Sequence, residues 1–131
     1  MSNSVVITSA SRTAVGTFGK SLKNIPGDKL GSAVISDSIA RSKIKKDDVD
    51  EVIMGQVLTS GTGQNPARQA LINAGIPKEK PAYLVNQVCG SGIRSIVSGF
   101  QSIKAGDSKI IIAGGQENMS LAPHAIHFRD G

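Results

Sequence analysis

The sequence has no tryptophan, one tyrosine and three phenylalanines, so an aromatic-lined binding surface is not expected. It has one cysteine, Cys89, which excludes an intrachain disulfide and fits a reducing compartment. It lacks an apolar run long enough to cross a bilayer. It also lacks the charged-then-apolar opening of a secretory signal, because Ser4-Val5-Val6-Ile7 already reads as a strand. A soluble, cytoplasmic protein with no membrane partner is expected. The net charge of +5 has no clustered basic face with interleaved aromatics behind it, so nucleic acid is not an expected partner. Lys43, Lys45 and Lys46 run directly into Asp47, Asp48, Asp50 and Glu51, which reads as a solvated turn. One cysteine, with His124 and His127 three residues apart, is too small a set for a metal site.

What is present is small and β-branched. The 131 residues are rich in Gly, Ala, Ser, Ile and Val, a composition suited to closely packed α/β layers in one domain. Strands are predicted at Val5-Val6-Ile7, over 51–57 around Val52-Ile53-Met54, over 82–88 and over 109–113. Between them fall helices over 26–42, from Asn65-Pro66 to Gly75, and over 90–105 ending at Gly106. The order β-α-β-α-β-α-β, with strands apolar throughout, predicts a mostly parallel sheet with helices on both faces. Residues from about 119 to 131 read as the start of a loop region. In the first helix Leu30, Ala33, Val34, Ala40 and Ile44 are expected to form the packing face. In the last, Ile93, Ile96, Val97, Phe100 and Ile103 line one side, and Ser91, Ser95, Ser98, Gly99 and Ser102 another. The small-residue side suggests close approach by a second helix.

Cys89 carries the chemistry. It stands between a strand and a helix, in Val85-Asn86-Gln87-Val88-Cys89-Gly90-Ser91-Gly92. Ligands of α/β folds bind near the carboxyl ends of strands. A sulfur there faces the free amides and the positive dipole end of the following helix, which favour the nucleophilic thiolate. Gly90 and Gly92 leave room for a substrate carbonyl, and the Cys89 amide could help stabilise an oxyanion. By position alone Cys89 could equally be a small buried hydrophobe. Other candidates are weaker. Gly61 and Gly63 form no phosphate-cradling motif and read as loop glycines. Gly114-Gly115 reads as a close-packing or turn feature. Arg68 could meet a phosphate, but a structural partner is the plainer reading. Asp28, Asp37 and Asp107 lack paired-carboxylate spacing.

Four stretches decide between these readings. Val85 through Ser95 resembles the acyl-enzyme signature of thiolases. Ser9-Ala10-Ser11-Arg12-Thr13-Ala14-Val15-Gly16, then Phe18-Gly19, is similar to the thiolase amino-terminal motif. Gly55-Gln56-Val57-Leu58 and Gly63-Gln64-Asn65-Pro66-Ala67-Arg68-Gln69 resemble the segment leading into the second helix. Ala113 through Ser120, then Ala122-Pro123-His124, resembles the motif after the fourth strand, with Gln116 and Asn118 where the family more often has Met and Ser. The resemblance implies a thiolase-like fold and an acyl-CoA acyltransferase with Cys89 as acyl carrier. Coenzyme A thioesters would be its substrates, with no permanently bound cofactor and with assembly into dimers or tetramers. Gly90 and the Gln64–Arg68 run look like the biosynthetic branch, which joins two acetyl-CoA into acetoacetyl-CoA. The degradative branch, which cleaves 3-ketoacyl-CoA, is the alternative. The resemblance also implies that residues 1–131 are a truncated amino-terminal domain, with the catalytic base, a second Cys and the carboxyl-terminal half outside them. His124 and His127 are not in the family's catalytic His motif. The chain alone is therefore expected to be inactive. A noncatalytic thiolase-like interaction module remains the competing reading.

Overall fold

A computed structural model describes residues 4–129. Its elements are α1 (Gly27–Ser42), β1 (Glu51–Gly55), α2 (Pro66–Asn73), β2 (Ala82–Val85), α3 (Ser91–Ala105) and β3 (Ile111–Gly115). Short 3₁₀ turns lie at Lys46–Asp48 and Met119–Leu121. The three strands form one parallel sheet in the order β2-β1-β3. Gly55, at the end of β1, pairs with Val85 on one side and Gly115 on the other.

Strand alternation divides the layers. Val52 and Met54 point to α1 and α2, where they join Ile35, Ile39, Val49, Ala67, Ala70, Leu71, Ala74 and Ile76 in the main core. Gly55 points to α3, on the opposite face. Helices thus cover both faces of a parallel sheet, as the sequence pattern predicts. The second helix begins as expected: Asn65 caps it by accepting from the Arg68 amide at 3.1 Å, and Pro66 opens it. Asn65 also donates to the Ala82 carbonyl at 2.9 Å, tying the cap to β2.

Three expectations need correction. Val5-Val6-Ile7 forms no strand, and Val6 and Ile7 are exposed. A strand needs a neighbour to pair its backbone, and the residues just after this segment are bonded instead to α1. Ser9 Oγ donates there to the Ser38 carbonyl at 2.9 Å, and Ser11 Oγ to Asp37 at 2.6 Å. The element order among the described residues is therefore α-β-α-β-α-β. In α1 the buried face is Gly27, Gly31, Ile35 and Ile39, while Ala33 and Ala40 are exposed. The glycines belong to this face because Gly31 lies against the Gln116 side chain, where a Cβ would fall 2.0 Å from Oε1. The third correction concerns α3. Its small-residue side faces the chain's own sheet: Ser91, Ser95 and Gly99 are buried. Ile93 and Phe100, on the apolar side, are 70% and 49% exposed.

That inversion has a steric cause. A Cβ on Gly55 would lie 2.4 Å from the Ser91 carbonyl carbon and 2.7 Å from the Gly92 nitrogen. Only the small side of α3 can sit so close to the sheet. Ser95, fully buried, holds its hydroxyl oxygen 2.7 Å from the Gly92 carbonyl and 2.6 Å from the Gly114 carbonyl, which share its single proton.

The zwitterionic turn is partly structural. The Asp50 carboxylate accepts from the amides of Lys109 at 2.7 Å and Ile110 at 3.0 Å, bracing the entry to β3. These bonds, Ile110 first and then Lys109, hold its carboxyl below the ordinary aspartate range. The stability it contributes is present above the unfolded-state value and is lost as pH falls through the lowered folded value.

Two outcomes follow from this packing. Gly55→Ala should lower stability by about 2 kcal/mol, because backbone must move to admit one methyl. Chemical denaturation checks this, and an unchanged midpoint would contradict the contact. Asp50→Ala should cost about 1 kcal/mol at neutral pH, allowing for solvent screening. The difference should close in acid, where the wild-type carboxylate is protonated. Parallel denaturation curves at the two pH values provide the measurement.

Candidate functional site

Cys89 lies on the 86–90 turn joining β2 to α3, at the carboxyl end of the sheet, with its thiol exposed. Within these residues Cys89 is therefore not a core side chain. The turn is tight. The Gly90 amide donates to the Gln87 carbonyl at 3.0 Å, and the Ser91 amide to the Val88 carbonyl at 3.1 Å. The Ser91 hydroxyl donates to the same Val88 carbonyl at 2.6 Å and accepts from the Gln87 amide at 2.9 Å. The Arg94 amide then donates to the Gly90 carbonyl at 2.8 Å, closing the first turn of α3. Val88 has a φ of +51°, in the left-handed region. A single residue there turns the chain sharply from strand into helix and leaves Cys89 at the crest.

The two neighbouring glycines do different things. At Gly92 an added Cβ would meet nothing within 4 Å, so the approach to the helix start is open. At Gly90 it would come within 3.3 Å of the Gln87 carbonyl oxygen, so this glycine serves the turn.

The other sequence candidates are placed elsewhere. Arg68 donates to the carbonyls of Lys80 at 2.8 Å and Lys78 at 2.5 Å, a structural role that closes the loop before β2. Gly61 and Gly63 have φ of +73° and +81°, as loop glycines require. Gly114 and Gly115 are not needed for close packing, since a Cβ at Gly115 would sit in ordinary contact, 3.4 Å from the Gly55 carbonyl and 3.5 Å from Gly92 Cα, and one at Gly114 would lie 4.0 Å from Met54 Sδ. His124 and His127 are exposed on the segment after the second 3₁₀ turn. Among the described residues no hydrogen bond joins either to Cys89. Cys89 also lines neither of two cavities, of about 600 and 710 Å³.

A polar group behind the turn was not singled out from sequence. Glu117 Oε2 accepts from the Val57 amide at 2.7 Å and the Leu58 amide at 3.3 Å, while its Oε1 is buried without a partner. Asn86 Nδ2 donates to the Val57 carbonyl at 3.3 Å, and Asn86 Oδ1 accepts from the Val88 amide at 3.0 Å. Buried Gln116 donates to Gln56 Oε1 at 2.9 Å and the Pro66 carbonyl at 3.2 Å. Asn118 Nδ2 donates to the carbonyls of Leu22, Lys23 and Ile25, between 2.7 and 3.1 Å. These contacts use the amide N–H donors of Gln116 and Asn118; Met, of the same length as Gln, has no donor, and Ser is shorter than Asn and has a single one. The available signal was a polar residue directly after each apolar strand: Gln56, Asn86 and Gln116.

Known proteins agree with this geometry. Residues 5–130 match the family model described as thiolase, N-terminal domain. An acetyl-CoA acetyltransferase of Cupriavidus necator is 56% identical over 128 residues, covering 97% of this chain and 33% of the relative. A cytosolic acetyl-CoA acetyltransferase of Rattus norvegicus is 50% identical over 130 residues, covering 99% of this chain and 33% of the relative. The crystal structure of the Bacillus anthracis acetyl-CoA acetyltransferase superposes with a TM-score of 0.91 at 36% identity, over 95% of this chain and 32% of that one. The chain therefore spans about a third of the length of the relatives it matches. With the strand-to-helix turn, the sheet and the four motifs all in register, this chain belongs to the thiolase family, matching its N-terminal domain model over residues 5–130.

Proposed function

We propose that this chain supplies the acyl-carrying part of an acetyl-CoA C-acetyltransferase, with Cys89 as nucleophile. The observation that carries the reading is the exposed thiol of Cys89 at the crest of the turn into α3. Its thiolate attacks the thioester carbonyl of acetyl-CoA, the bond to the coenzyme A sulfur breaks, and an acetyl-Cys89 thioester forms. A second acetyl-CoA loses an α proton, and the resulting carbanion attacks the acetyl carbonyl. The Cys89 sulfur–carbon bond then breaks, releasing acetoacetyl-CoA. The reverse sequence is thiolysis.

The amides of Gly90 and Ser91 are already bonded within the turn, so the reading assigns oxyanion stabilisation on this chain to the Cys89 amide. It assigns the base and the carbanion step to parts of the thiolase architecture beyond this third. Coenzyme A thioesters enter as substrates, not as resident cofactors. Gly90 and the names of the relatives favour the biosynthetic reaction over degradative cleavage. A cytoplasmic location accords with the cytosolic rat relative, and no helix among the described residues is long and apolar enough to cross a membrane. The exposed apolar side of α3 fits burial against the rest of a full-length protein, and by family resemblance we read that protein as a homo-oligomer.

In its full-length context the chain should gain one acetyl group from acetyl-CoA, and Cys89→Ala should abolish this. The 131 residues alone should give little or no sustained coenzyme A release. Intact-mass measurement beside a coenzyme A release assay checks both. An equal acetyl adduct on the Cys89→Ala variant would sink the assignment.

A further inference from the structure

The residue before Cys89 is held in a conformation it would not choose. Val88 is β-branched, and its φ of +51° lies in the region that favours glycine. Such strain persists only where the surroundings over-determine it. Packing does not do so here, because the Val88 side chain is 64% exposed. Its two backbone polar groups are instead gripped by side chains from either side of the turn. The Val88 amide donates to Asn86 Oδ1 at 3.0 Å, and the Val88 carbonyl accepts from Ser91 Oγ at 2.6 Å. Ser91 is buried, and its hydroxyl also accepts from the Gln87 amide at 2.9 Å, so it has one position available. Asn86 is anchored in turn by donating to the Val57 carbonyl at 3.3 Å, and the Val57 amide donates to Glu117 at 2.7 Å. One line of bonds thus runs from the segment after β3, across the segment after β1, to the residue before the thiol.

We infer that Asn86 and Ser91 are positioning residues that clamp Val88 in the left-handed conformation and thereby hold Cys89 at the crest of the turn. The functional meaning rests on Cys89 being the nucleophile, whereas the clamp itself does not. Released from either side chain, Val88 would relax toward negative φ, and the direction in which Cys89 leaves the strand would rotate. Glycine adopts positive φ without steric penalty and has no need of the clamp.

The test uses iodoacetamide, a probe that needs no acetyl-CoA. Cys89 is the sole cysteine of the 131 residues, so every thiol adduct seen on that chain by intact mass reports on it, and peptide mapping assigns the adduct in a full-length protein. Rates would be measured from neutral to alkaline pH for the wild-type chain, Asn86→Ala, Ser91→Ala, and each of these combined with Val88→Gly. Circular dichroism would verify the fold of every variant. Each single variant should react about tenfold more slowly than wild type or show a displaced pH profile, as expected if the strained turn relaxes. Adding Val88→Gly should recover most of the loss, which no general destabilisation would do. If Asn86→Ala fails to fold, the Ser91→Ala pair decides alone. A folded single variant with the wild-type rate and profile, or a double variant as impaired as its single parent, would overturn the clamp. Slowing and rescue in a full-length protein that acetyl-CoA never acetylates would support the clamp and overturn the acyltransferase reading.

Discussion

Everything at the Cys89 end of this molecule depends on one missing side chain. Gly55 ends the central strand of the sheet, and the backbone of Ser91 and Gly92 occupies the space where its Cβ would be. This contact sets how close α3 approaches. Closeness selects which side of α3 faces inward, since only Ser91, Ser95 and Gly99 are small enough. It also sets the height of the turn above the sheet, and with it the place of Cys89. Burying two serines at such an interface would be unfavourable if their hydroxyls were unmatched. Ser95 bonds to Gly114 and Ser91 to both sides of the turn, so the interface is polar and satisfied.

The loop segments at the carboxyl ends of the strands are organised by the same economy of buried polar groups. Gln56 and Gln116 bond to each other between the ends of β1 and β3. Asn118 gathers three carbonyls of the 22–25 segment, and Glu117 holds the chain leaving β1. A carboxyl or amide side chain does here what a fourth strand would otherwise do, satisfying backbone that has left the sheet. The partnerless Gln116 Oε1 and Glu117 Oε1 are the exceptions among these groups. The rigid platform under the turn is therefore built from hydrogen bonds as much as from apolar packing, while the main core of Ile35, Val52, Met54 and Leu71 lies on the other face of the sheet.

Much of this was legible in the sequence, for local reasons. Asn65-Pro66 and Gly106 mark helix ends because capping and positive φ are properties of a few adjacent residues. Val52-Ile53-Met54 and Ile110-Ile111-Ile112 announce parallel strands, which are covered on both faces, though only the first run, at the centre of the sheet, is fully buried here and the second is half-buried. Boundaries shifted by a few residues, as with the last strand, which is Ile111–Gly115 and not 109–113. The Val5-Val6-Ile7 reading failed because β character is not a property of a segment alone but of a segment and its neighbour. The face of α1 failed for a related reason: Gly27 and Gly31 count as nothing on a hydropathy scale, yet lie where the contact is closest.

The sequence by itself determined the family, the order of helices and strands from the first helix onward, and the position of a lone cysteine between a strand and a helix. These follow from spacing and residue type, which survive without coordinates. Only the tertiary structure decided that Cys89 is exposed, that Val88 is strained before it, and that Asn86 and Ser91 hold it there. Only the tertiary structure decided, too, that the small side of α3 faces inward and the apolar side outward. The periodicity of α3 reveals two faces but not their directions. Direction is set by the distance to a partner surface, and here that distance is set by a glycine 36 positions earlier in the chain, counting back from Ser91 to Gly55.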